Sequence, residues 1–101
     1  MKMYILIKEE IPVGFAILAA AHGSMAAYLK YQGTKEIKDW LDGPAFYKVI
    51  CKVNDKEFKK AKEFPDRVVI TESKLDGQEV ALVFKPREEW PKPFKFYKLY
   101  R

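Results

Sequence analysis

Two side chains in this sequence have types and positions that could carry acid–base chemistry. His22 is the only histidine, and its ordinary pKa near neutrality suits a general base or a phosphate-facing group. Glu72 could orient the histidine ring through its carboxylate if the fold brings the two together. The alternatives are a core histidine packed between Leu18 and Met25, and a strand-end glutamate paired with Lys74. The residues alone leave these alternatives open.

The C-terminal stretch from Lys85 to Arg101 could contact a polyanion. It has six basic residues against two acidic ones, with five aromatic residues between them. Such a segment can follow a phosphate backbone and stack on bases. Alternatively, Phe94, Phe96 and Tyr97 cover the edge of a sheet while the lysines remain solvated. The basic candidates in this segment are Lys92, Lys95, Lys98 and Arg101, and Lys74, outside the segment, is a further candidate for ligand contact.

A third set of candidates lies near the end of the first apolar segment, Met3–Ile7. Lys8 follows that segment, and Phe15 lies where the next helix begins. Ligands of open α/β sheets bind outside the carboxyl ends of the strands, so both residues are candidates for ligand contact. An ordinary polar loop is an equally good interpretation. Cys51 alternates with Val49 and Val53, which predicts a buried structural thiol rather than a nucleophile.

Length and composition limit the class of protein. The chain has 101 residues, 49% of them hydrophobic, which predicts a single domain spanning residues 1–101 with a real core. One cysteine cannot form an internal disulfide, and no metal-ligand or cofactor motif is present, so we expect no cofactor and a cytoplasmic location. The net charge of +5 is compatible with a polyanionic partner. The apolar stretch 11–29 contains Pro12 and His22, and we expect no membrane association.

The elements that position these candidates can be predicted from hydrophobic patterns. A continuous apolar run over Met3–Lys8 indicates a buried central strand. The stretch from Gly14 to Gln32 predicts a long helix with a stripe of small residues on one side. Gly23 is unfavourable inside a helix by roughly 1 kcal/mol relative to alanine, which suggests a packing reason for it. The stripe consists of Ala16, Ala20, Gly23 and Ala27.

The remaining segments predict shorter elements. A second helix begins at Thr34, a strand covers Phe46–Val53, and a third helix begins at Asn54 or Asp55. Two further strands, Arg67–Lys74 and Gln78–Lys85, are joined by the turn signal Asp76-Gly77, with Lys74 expected opposite Glu79. The order strand–helix–helix–strand–helix–strand–strand predicts an α/β fold with a small, mixed, four-stranded sheet flanked by helices.

The chain resembles the type-II peptidyl-tRNA hydrolase family. The resemblance lies mainly in Gly14–Tyr28, which contains Ala20-Ala21-His22 followed by small residues, and it extends to Trp40, Lys48–Val53 and Tyr97–Tyr100. It implies the family's fold, a small mixed sheet between helices. It also implies the family's activity, hydrolysis of the ester that joins tRNA to a peptide or an aminoacyl group.

The sequence departs from the family at the positions its chemistry needs. The catalytic lysine aligns with Phe15, a glutamine aligns with Ala19, and the Asp-Ala-Gly-x-Thr stretch falls around Thr71–Lys74 without its characteristic residues. A lysine-to-phenylalanine change removes a charge that could stabilise a developing anion.

Two functions follow from these departures. The favoured hypothesis is a diverged, non-catalytic module that binds tRNA, another acidic ligand or a protein. The alternative is an active hydrolase in which His22 and Glu72 replace the missing groups. A homodimer formed through exposed aromatic residues is a further hypothesis.

Overall fold

The computed structural model describes residues 1–101 and contains a mixed five-stranded sheet with three α-helices. Two short 3-10 turns, Ser73–Leu75 and Lys92–Lys95, complete the secondary structure. The strands are β1 (Met3–Lys8), β2 (Lys48–Val53), β3 (Arg67–Glu72), β4 (Gln78–Phe84) and β5 (Lys98–Leu99), and the helices are α1 (Val13–Tyr31), α2 (Lys35–Asp42) and α3 (Asp55–Ala61).

The strands lie in the order β3-β4-β1-β2-β5, with β1 in the centre. Strand β1 pairs in parallel with β2, and the other pairs are antiparallel. The first five residues of β1 are buried, which confirms the predicted central strand. The predicted count of four strands is wrong. The last residues of the chain add a fifth strand beside β2, and the Tyr100 amide donates to the Ile50 carbonyl over 2.8 Å.

The sheet separates two apolar cores. Alternate residues of β1 face opposite sides, so Ile5 packs with α1 and α2 while Leu6 packs with α3 and the C-terminal segment. Helix α1 packs over β3, β4 and β1, and it makes no comparable contact with β2 or β5. This asymmetry exposes one strip of the sheet to solvent.

Helix α1 approaches the sheet through its small residues, as the sequence predicted. Ala16, Gly23 and Ala27 are buried, Ala20 is half-buried, and Ala19 is also buried against the sheet. A Cβ atom at residue 23 would overlap the Val83 side chain and lie 3.4 Å from Ile70. The packing reason expected for Gly23 is therefore this contact with β4 and β3.

The helix caps agree with the sequence patterns. The Thr34 hydroxyl accepts from the Ile37 amide over 3.3 Å at the start of α2. At α3, the Asn54 side chain and the Glu57 side chain each accept from the other residue's amide, which forms a capping box. Asn54 rather than Asp55 is thus the cap of α3.

The β3–β4 connection differs from the predicted two-residue hairpin. Strand β3 ends at Glu72, and the 3-10 turn precedes Asp76 and Gly77, which both have positive φ. A register shift between Ile70 and Thr71 places Glu79 opposite Thr71. The predicted pairing of Lys74 with Glu79 is therefore wrong, and the Glu79 carboxylate instead binds the Lys62 ammonium over 2.8 Å.

The aromatic residues of the C-terminal segment mostly cover the sheet. The Phe94 side chain is 2% exposed, and Trp90 and Tyr97 pack against the same core. Phe96 is an exception to the expected covering role, because it is 72% exposed. The bases of a nucleic acid therefore cannot stack on Phe94, although Lys92, Lys95 and Lys98 of this segment are exposed.

Candidate functional site

His22 and Glu72 are not joined by a hydrogen bond in this structure. His22 is exposed on α1, and neither ring nitrogen has a hydrogen-bond partner within the chain. The expectation of a core histidine is wrong, because Leu18 and Met25 beside it are also exposed. The Glu72 carboxylate accepts from the Lys74 amide over 3.0 Å, and so it serves the turn after β3.

Phe15 does not contribute to a cleft between these two residues. Its half-buried side chain packs against the core beneath α1. None of the five main clefts on the surface is lined by His22, Phe15 or Glu72. The three side chains therefore do not meet in any of these clefts.

The basic candidates are distributed over several surfaces. The Lys8 ammonium lies 3.6 Å from the Asp55 carboxylate and over the Phe58 ring, so it is already paired. Lys74 is exposed in the turn after β3, and Lys92 is exposed in the second 3-10 turn. Lys95 is exposed and lines a small cleft with Trp90 on the opposite side of the sheet from α1.

Lys98 and Arg101 do come together, in a cleft at the edge of the sheet. The cleft has a volume of about 620 Å³ and is lined by Glu9, Lys52, Lys98, Leu99 and Arg101. Lys52 on β2 is directly opposite Lys98 on β5 in the antiparallel register. Directly opposed residues of an antiparallel pair project to the same side of the sheet. The two ammonium groups therefore share one surface.

This surface is the strip of sheet that α1 leaves uncovered. Lys52 lies between Cys51 and Val53 in β2, whose side chains are buried in the core on the α3 side. Lys52 must therefore point to the α1 side. Tyr100 packs on that side as well, and the Lys52 ammonium lies 4.9 Å from the centre of its ring. We call Lys48, Lys52, Lys98 and Arg101 the basic strip.

Two ammonium groups of the basic strip, those of Lys48 and Lys52, lie over aromatic rings. The Lys48 ammonium lies 4.6 Å from the centre of the Phe46 ring and 5.3 Å from that of Trp40. No member of the strip has a carboxylate oxygen within 4.0 Å. Like charges directly opposed across strands are destabilising, so the Lys52–Lys98 pair retains a repulsion that a bound anion would relieve.

No protein-family model and no curated protein matches this chain. The resemblance to type-II peptidyl-tRNA hydrolases therefore depends on the motif residues alone.

Sequence reasoning missed half of the basic strip. The alternation of β2 places Lys48 and Lys52 on the polar side of the strand. It does not show that α1 leaves this side uncovered or that Lys98 lies opposite Lys52. A pairing between residues so distant in the chain leaves no local pattern.

Cys51 gives a testable pH dependence. Burial raises the pKa of the Cys51 thiol to about 11, and the nearby Glu57 carboxylate adds to the rise. The unfolded thiol ionises near pH 8.5, so between about pH 8.5 and 11 the unfolded chain loses a proton that the folded chain keeps. We expect the free energy of unfolding to fall over this range.

The contribution of the thiol is the difference between the wild type and Cys51→Ala in how the free energy of unfolding changes with pH. Urea unfolding of the wild type and of Cys51→Ala at several pH values measures both, and the wild type should show the steeper fall with rising pH. Equal slopes would contradict the assignment of a buried, protonated thiol.

Proposed function

We propose that this chain is a non-catalytic binding module for RNA, with tRNA as the example suggested by the family resemblance. The observation that supports the proposal is the Lys52–Lys98 pair, two lysines directly opposed across β2 and β5, neither of which has a carboxylate oxygen within 4.0 Å of its ammonium group. The fold holds two positive charges close together, and this arrangement favours binding of a ligand whose negative charges are regularly spaced. Arg101 and Lys48 extend the same positive surface along the sheet.

The chemistry of the basic strip predicts the mode of binding. Lysine and arginine contact phosphates, which position a nucleic acid but do not read its sequence. Binding should therefore depend strongly on salt and weakly on sequence. The aromatic rings near Lys48 and Lys52 orient the ammonium groups, because each ring holds its cation within 5.3 Å of its centre.

The test is equilibrium binding of fluorescently labelled tRNA at several salt concentrations. The double variant Lys52→Glu/Lys98→Glu should lose at least about tenfold in affinity at low salt, and the slope of log K against log salt should flatten by about two ion equivalents. The matched control is Lys56→Glu/Lys59→Glu, which makes the same change in net charge at exposed positions of α3. We expect the control to retain affinity within about threefold.

Two outcomes would refute the proposal. If both double variants lose affinity equally, binding reflects net charge alone. If wild-type binding does not weaken as salt rises, phosphate contacts do not drive it.

The hydrolase alternative has no specific observation in its favour. It requires a base with an orienting partner, whereas His22 has no hydrogen-bond partner and the Glu72 carboxylate is engaged by a backbone amide. We expect the wild type and His22→Ala to release peptide from peptidyl-tRNA at the same uncatalysed rate.

A further inference from the structure

A cleft lined by aromatic rings lies between α3 and the C-terminal segment. Its volume is about 440 Å³, and it is on the side of the sheet away from α1 and the basic strip. Three aromatic side chains and one proline form most of its wall, and we call it the aromatic cleft. Its lining residues are Glu57, Lys60, Glu63, Phe64, Pro93, Phe96 and Tyr97.

Two rings of the aromatic cleft are held in place by a buried third ring. Phe64 and Tyr97 are half-buried, and the centres of their rings lie 5.4 and 5.3 Å from that of Phe94. Because Phe94 is packed in the core, it fixes the positions of both rings. This part of the wall is therefore formed before any ligand binds, as in most small-molecule sites.

The ring of Phe96 completes the wall without contributing to the core. It is 72% exposed, whereas Phe94 and Tyr97 of the same segment pack against the sheet. One exposed apolar side chain needs no explanation, but this one lies beside two other rings at a concave surface. Aromatic side chains grouped at a concave surface are typical of a binding site.

The rings of the aromatic cleft have no cation of their own. Elsewhere in the chain, lysine ammonium groups lie between 4.6 and 5.8 Å from the centres of aromatic rings. None of these cation–ring contacts involves Phe64, Phe96 or Tyr97, although Lys60 lines the same cleft. The electron-rich ring faces are therefore free to attract a cation from outside.

The charges around the rings favour the same kind of ligand. Glu57 and Glu63 supply two carboxylates and Lys60 one ammonium group, so the cleft is net negative in a chain of net charge +5. Neither carboxylate has a cationic nitrogen within 4.0 Å. One Glu57 oxygen accepts from the Asn54 amide, which leaves the other free. Burial and the Glu57 carboxylate both raise the pKa of Tyr97, so this charge acts at the ring.

We propose that the aromatic cleft binds a quaternary ammonium group, such as that of choline or of trimethylated lysine. A primary ammonium group is strongly hydrated and has three donors that each need an acceptor. A quaternary group has no donor, and its methyl groups can pack on the rings while its charge attracts the ring faces. A neutral apolar ligand would fill the same space but gain nothing from the two carboxylates.

The test is a titration of the full chain with choline, followed by the backbone amide shifts in solution NMR. The control ligand is its neutral isostere, which has a tert-butyl group in place of the trimethylammonium group. We expect choline to bind at least about tenfold more tightly than the isostere. The shifts that change should belong to residues 57–64 and 93–97, which line the cleft.

A short peptide with one trimethyllysine distinguishes the two sources of the group. If it binds more tightly than choline and than the unmethylated peptide, the ligand is a methylated protein. If choline binds more tightly, the ligand is a small molecule. Either result supports a quaternary ammonium site.

Substitutions locate the binding within the cleft. Phe96→Ala removes an exposed ring and Glu63→Gln a charge, and each should weaken choline binding at least about threefold. The matched controls lie outside the cleft. Ile17→Ala truncates a 67% exposed side chain, and Glu10→Gln makes the same charge change at an exposed position. We expect both controls to retain the wild-type affinity within about twofold.

Three results would overturn the proposal: no binding of either quaternary ligand, equal affinity for choline and its isostere, or unchanged affinity in both cleft variants. The test is independent of RNA binding, because the basic strip lies on the other side of the sheet. Lys52→Glu/Lys98→Glu should therefore bind choline as the wild type does.

Discussion

Phe94→Ala is expected to lower the free energy of unfolding by about 3–5 kcal/mol, a large fraction of the roughly 5–15 kcal/mol by which native domains are stable. The Phe94 side chain is 2% exposed, and five other aromatic rings have their centres between 4.9 and 5.4 Å from its own. Truncation removes the transfer energy of the ring and leaves a cavity that those rings cannot fill. Urea denaturation followed by tryptophan fluorescence measures the loss.

Phe96→Ala is the matched control, two residues along the same segment. Because Phe96 is 72% exposed, its truncation should change stability by less than about 0.5 kcal/mol. Equal effects of the two substitutions would show that the aromatic cluster does not hold the C-terminal segment on the sheet.

Gly23→Ala is expected to destabilise the protein by about 1–3 kcal/mol, although helix propensity alone predicts a gain of about 1 kcal/mol. The added methyl group would overlap the Val83 side chain, which is β-branched and fully buried in β4, so it has little freedom to move. Gly23→Leu should destabilise the protein more than Gly23→Ala does, because leucine adds three more carbon atoms at the same contact.

Gly14→Ala is the control, because it changes another glycine of the same helix. No atom lies within 4 Å of a Cβ placed there, so this substitution should stabilise by up to about 1 kcal/mol. Thermal unfolding of the three variants gives the comparison. A stabilised Gly23→Ala protein would mean that α1 lies further from the sheet than this packing requires.

The elements with strong local signals could be predicted from the sequence. The continuous apolar run of β1, the small residues of α1 and the Asn54 cap of α3 each reflect a physical requirement of the segment itself. Strand β5 could not be predicted, because Lys98-Leu99 has no alternating pattern and becomes a strand only through its partner β2. The prediction of the β3–β4 connection is wrong because the Asp76-Gly77 turn signal does not show the register shift at Ile70.

The candidate site was only partly predictable for a similar reason. Lys98 and Arg101 were identified from the charge of their segment, but their neighbour Lys52 reaches them through a pairing that has no local signature. The exposure of His22 could not be predicted from the sequence either. A helix that is apolar on every side gives no contrast between the side that packs and the side that faces water.

The central position of β1 has a consequence for how the chain assembles. Strands β3 and β4 are neighbours in sequence and can pair within microseconds, as hairpins do. Ile5, by contrast, must find both Ile50 and Val83, and contacts between residues so distant in the chain form slowly because large loops must close first. The apolar segment Met3–Ile7 therefore stays without partners during early folding, and at high concentration this segment is where aggregation would begin.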